Sequence, residues 1–201
     1  MNTFARALAL HNRGELAAAE PLYRQIVAAT PDDADALGRL GVLLAESGRP
    51  REGEDFIRRA LAVRPADAGA WNNLGTILSR LGRAEEAWRA YGEALRLEPE
   101  NPRTLSNAGG ALKSLGRLDQ AADHYKRALA IEPGAAEILS NYGNVLLDLG
   151  RPIEAISAQQ KALQHNPDYP PALNNLGVAL KRSGRYQDAI RALIRAVELA
   201  P

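Results

Sequence analysis

The chain has 201 residues, a formal net charge of +1, 46% hydrophobic residues and only 5% aromatic ones. A near-neutral balance argues against a nucleic-acid binder that works through bulk electrostatics. There is no cysteine, which excludes disulfides, thiol catalysis and cysteine–zinc sites.

Self-similarity at a fixed period decides the fold class before any local reading. Frames of 34 residues run 1–33 (one residue short), 34–67, 68–101, 102–135, 136–169 and 170–201. Every frame carries a glycine at its fifteenth place (Gly14, Gly48, Gly82, Gly116, Gly150, Gly184) and a proline at its thirty-second (Pro31, Pro65, Pro99, Pro133, Pro167, Pro201). The eighth place is Ala7 and then Gly41, Gly75, Gly109, Gly143 and Gly177.

In chain order, the first frame diverges. Arg6 stands where most later frames have a large residue, Ile26 replaces a small one, and Pro21 falls early in the second helix, near its first turn, where it is tolerable. A cap with a wetter outer face is expected there. Arg6, His11, Asn12 and Arg13 also break the apolar run that a signal peptide needs. The second frame is regular apart from Gly53, and Pro50 can start its second helix, as Pro152 can in the fifth.

The third frame shows the unit most plainly. Trp71, Leu74, Ile77 and Leu78 recur at the spacing of one helical face. Gly82 ends that helix in the left-handed conformation, and Glu85 and Glu86 open the second at the positive end of its dipole. Ala87, Tyr91, Ala94 and Leu95 form its inner face, and Pro99 closes the unit. Helices of about 12–14 residues are marginal alone, so each unit must bury its face on its neighbours. The fourth frame repeats this. The fifth has Tyr142 in place of Leu and Gln159 in place of Tyr or Ile. The sixth begins at Pro170 and stops at Pro201, leaving Ile190, Leu193, Ile194 and Val197 of a last helix, roughly 186–199, without a partner. That bare face predicts an N-terminal fragment of a longer protein, or an end covered by another copy.

Trp71, Leu74, Gly75, Leu78, Ala87, Tyr91, Ala94 and Pro99 stand at the spacings of the tetratricopeptide repeat, and the chain resembles that family throughout. The resemblance implies an all-α solenoid of six helix-turn-helix units in a right-handed superhelix, with each first helix on the concave side. It implies protein–protein interaction and names no partner.

The sixth place of successive frames reads Arg39, Asn73, Asn107, Asn141 and Asn175. It should point into the groove, with Asn72 and Asn174 nearer the edge. An amide both donates and accepts, and an extended peptide rises about 3.3 Å per residue, so a step of about 10 Å per unit matches three residues. The row resembles the asparagine ladder of the repeat region of O-linked N-acetylglucosamine transferase, which implies a substrate-binding arm of a larger glycosyltransferase. The alternatives to such a ladder are general groove polarity and a bond to a neighbouring helix or turn. A two-carboxylate clamp could draw on Asn144 and Asn175, but Ser140 stands where it needs Lys.

The arginines after the turn glycines, Arg49, Arg83, Arg117, Arg151 and Arg185, are expected to pair with carboxylates such as Glu52, Glu86 and Glu154 three residues on. His11, His124 and His165 fall on no metal-ligand spacing and read as surface residues. The expectation is a non-enzymatic, cytoplasmic module with no cofactor or metal. Its partner would be a protein or peptide client in the concave groove, not nucleic acid or membrane. The rival is a scaffold that self-associates through Ile190, Leu193, Ile194 and Val197.

Overall fold

A computed structural model describes residues 2–199; Pro201, the sixth-frame proline, lies outside them. The described residues form helices and no strand. Residues 2–99 form one compact unit and residues 100–199 another. The first holds α1 (Thr3–Asn12), α2 (Leu16–Ala29), α3 (Ala34–Glu46), α4 (Pro50–Val63), α5 (Ala68–Arg80) and α6 (Ala84–Leu97). The second holds α7 (Pro102–Ser114), α8 (Leu118–Ile131), α9 (Ala136–Asp148), α10 (Pro152–His165), α11 (Pro170–Arg182) and α12 (Tyr186–Leu199). Consecutive odd and even helices form six hairpins, so the all-α helix-turn-helix reading holds.

Each hairpin is punctuated alike. Asn2, Asp33, Asp67 and Asn101 cap first helices by accepting the amide three residues on, at 2.7–3.0 Å. Ala135 and Tyr169 hold the same place without a side-chain cap. All six turn glycines have φ between 72° and 79°. At the second of these turns Arg49 N–H donates to Leu44 O (2.8 Å) and Gly48 N–H to Ala45 O (3.3 Å), which satisfies the carbonyls left open at the helix end. Pro50 and Pro152 begin second helices as expected. Pro21 does not sit near a first turn: it is the sixth residue of α2, where its exposed ring removes one helical hydrogen bond.

The two helices of a hairpin cross at the eighth-place glycine. A methyl on Gly75 would lie 2.6–2.8 Å from the Tyr91 ring, one on Gly109 within 2.9–3.2 Å of Tyr125, and one on Gly177 2.5 Å from Leu193. Gly41 faces Ile57 and the carbonyl of Gly53, so this crossing has glycine on both helices, which accounts for Gly53. Tyr91 and Tyr125 are accordingly core residues. Trp71 departs from the expected inner face: it is half-buried, and its indole N–H donates to Pro65 O at 2.9 Å.

Within each unit the first helices touch in succession, α1–α3–α5 and α7–α9–α11, while the backbones of successive second helices stay apart. A row of rods that touches on one side and gapes on the other curves toward the touching side. The first helices therefore line the concave side of each unit.

Candidate concave surface

Long-range polar ties hold the first helices together. In the first unit Arg80 Nη1 donates to Ala45 O (3.2 Å) at the end of α3, and His11 Nε2 lies 2.9 Å from a Glu46 carboxylate oxygen. In the second, Arg182 Nη1 donates to Leu147 O (2.6 Å) at the end of α9, and Lys113 lies 3.5 Å from Asp148. A cation on C-terminal carbonyls also meets the negative end of that helix's dipole. His11 is thus no ordinary surface histidine: its ring is mostly buried, edge-on to Tyr23.

The sixth-place asparagines Asn73, Asn107, Asn141 and Asn175 are all half-buried on first helices. Their engagement differs. Asn175 Nδ2 donates to Ser140 Oγ on α9 at 3.2 Å, so this amide is used in joining α11 to α9. Asn107 also has a partner. The Asn73 and Asn141 side chains make no hydrogen bond within the described residues. For Asn73 the reason is plain: Gly38, 35 residues earlier, stands where Ser140 precedes Asn175, and has no side chain to accept.

Asn72 corrects the expectation of an edge position: it is 4% exposed and engaged within the protein. Asn174 is exposed, Asn144 half-buried, and Arg39 exposed without a salt bridge. Sequence reasoning missed Ser140 and Gln159 as a buried polar pair: Gln159 Nε2 donates to Ser140 O at 2.9 Å, while its Oε1 has no partner. The signal was Gln159, an amide at a place that other frames fill with Tyr23, Ile57, Tyr91, Tyr125 and Leu193; the Ser140 place is polar in other frames too, as Asn72, Ser106 and Asn174, and gave none.

On the opposite side, Arg49, Arg83, Arg151 and Arg185 pair with Glu52, Glu86, Glu154 and Asp188 three residues on, as expected. The first unit adds pairs between hairpins: Arg49 also meets Glu20, Arg24 meets Glu52 (2.5 Å) and Arg83 meets Glu54 (2.6 Å). The hydrogen bond from Arg49 holds the Glu20 carboxyl below its ordinary range, against the effect of burial.

On α12, Ile190, Ile194 and Val197 are 49%, 54% and 66% exposed. Leu193 does not share that face: it packs over Gly177 in its own hairpin. Among the described residues no group of acidic or imidazole side chains could hold a metal, and no helix is long and apolar enough to cross a membrane.

A family profile described as Tetratricopeptide repeat matches residues 67–132 and 134–201, and another of that description matches residues 10–78. No curated protein is similar enough in sequence to be matched. The fold is shared with PilW, a type IV pilus biogenesis factor (TM-score 0.89, 19% identity, 94% of this chain and 88% of that one). It is shared with Pseudomonas aeruginosa PilF (0.85, 22%, 99% and 90%). YrrB, described as a TPR protein with an unusual peptide-binding site, is also similar (0.68, 22%, 89% and 92%).

Proposed function

The chain belongs to the tetratricopeptide repeat family, whose scaffold makes it a protein–protein interaction module, and we propose that its concave surface holds an extended segment of a client protein by the main chain. The supporting observation is that Asn73 and Asn141, on the first helices that line the concave side, have amides with no hydrogen bond inside the protein. Each such amide offers a peptide one donor and one acceptor. Within each unit the hairpins step by about 10 Å, the rise of three residues of a strand at about 3.3 Å each, so a strand laid along the first helices of either unit passes the free amide of that unit. Such contacts recognise backbone and leave side-chain choice to the flanks. YrrB lends support as a structure of this fold with a peptide-binding site.

Peptides selected on this chain from a random library test the reading by fluorescence anisotropy. Asn73→Ala and Asn141→Ala should each weaken binding by about tenfold, one well-made hydrogen bond's worth, with the melting temperature unchanged. N-methylation of the peptide residue that faces either amide should do the same. Binding that survives both asparagine changes overturns the proposal. The fuller form of the reading is an arm that presents the segment to a glycosyltransferase domain. It has the asparagine row for support, and copurification of such a domain is its test.

A further inference from the structure

The apolar stripe on α12 is built differently from the other second helices. Ile190 and Val197 stand 34 residues after Ile156 and Leu163. Ile156 is 6% exposed and Leu163 partly buried, in the hairpin that α11 packs against. Those two places are the ones a following first helix covers. Ile194 is another matter. Its counterparts are Arg24, Arg58, Gly92, Lys126 and Gln160, all exposed although a further helix follows each of them. One more hairpin of the same kind would leave Ile194 in water. Its occupant must cover a wider strip, running the length of the helix.

The other end of the chain does not offer that occupant. Arg6 of α1 is exposed, at the place where Leu40 and Leu74 are buried. A second copy stacked head to tail would set this cation against the stripe.

The flank of the stripe is self-complementary. Arg191 and Glu198, two helical turns apart, lie on the same side of it and are both exposed; Arg191 is paired with Asp188 of its own helix and would turn from it toward a partner. An antiparallel copy of α12 centred on Ile194 brings Arg191 within one residue of level with the partner's Glu198, and the partner's Arg191 likewise with Glu198. It sets Ile190 against the partner's Val197, and Ile194 against its own counterpart. A closed two-fold contact of this kind uses one patch on both chains.

We propose that α12 is a homodimerisation helix, which pairs with the α12 of a second copy in antiparallel fashion about Ile194. A contact of one 14-residue helix on another is at the small end of specific interfaces, so the pairing is weak, with a dissociation constant on the order of micromolar.

Sedimentation equilibrium of the full chain from sub-micromolar to high micromolar concentration should show a monomer–dimer equilibrium. Ile194→Arg should weaken it by about tenfold or more, because two guanidinium groups then meet at the axis, without lowering the melting temperature of an exposed position. Arg191→Glu and Glu198→Arg should each dimerise poorly alone, and mixing the two should restore a heterodimer. Because the chain has no cysteine, Ile194→Cys can cross-link only between copies, and under mild oxidation it should give a disulfide-linked dimer. A monomer at every concentration overturns the proposal. So does a dimer indifferent to Ile194→Arg, or failure of the Ile194→Cys variant to cross-link, which would mean that the copies meet through another surface.

Discussion

A methyl group added to the turn glycine Gly82 would meet nothing within 4 Å, yet its φ of 74° is one that side chains avoid. At Gly75 the backbone is ordinary helix and the obstacle is the Tyr91 ring. The two glycines of one hairpin are therefore required for different reasons, and the difference can be measured. Gly82→Ala should cost about 1–2 kcal/mol by chemical denaturation, and no second change nearby should recover it. Gly75→Ala should cost a similar amount through overpacking, and Tyr91→Leu in the same chain should recover part of the loss. The asparagines differ from one another just as much. Asn72 and Asn73 are neighbours in sequence, but one is buried and engaged while the other is half-buried with its amide unused.

Among the first helices, α9 and α11 lack the side-chain cap that α1, α3, α5 and α7 have. Ala135 has φ −69° and ψ 98°, nearly the values of Asp33 at −72° and 96°, but no side chain to accept an amide. Ala135→Asp should therefore stabilise the protein by about 1 kcal/mol, read as a rise in denaturation midpoint with an unchanged m-value. Element boundaries were legible in the sequence because glycine, proline and the capping residues act locally. Which face of α12 stays bare was legible only in part. Leu193 falls on the same apolar stripe as Ile190 in a helical projection, but packing over Gly177 takes it into its own hairpin.

At the scale of the molecule the first helices of both units are tied alike, but the second helices are joined by different chemistry. In residues 2–99, Glu20 and Glu54 receive arginines from the next hairpin. The corresponding places in residues 100–199 are Ala122 and Ile156, and there Glu154 and Asp188 pair with arginines of their own hairpin. A carboxyl held below its ordinary range, as Glu20 is by Arg49, stabilises the fold above its unfolded pKa of about 4.3 and ceases to do so as pH falls through the lower folded value. Acidification below about pH 4 should therefore loosen contacts between hairpins in residues 2–99 before those in 100–199. Hydrogen exchange followed by mass spectrometry at about pH 3–5 reads this directly, and Glu20→Gln should blunt the effect.

By itself the sequence determined the six hairpins, their ends and the kind of residue at each crossing, because a period of 34 repeats every local rule six times. The tertiary structure alone decided which polar groups remain for a partner. An amide's availability depends on its place in the fold: Asn175 reaches Ser140, Gly38 offers Asn73 no side chain, and Asn141 makes no bond although Ser106 holds the corresponding place.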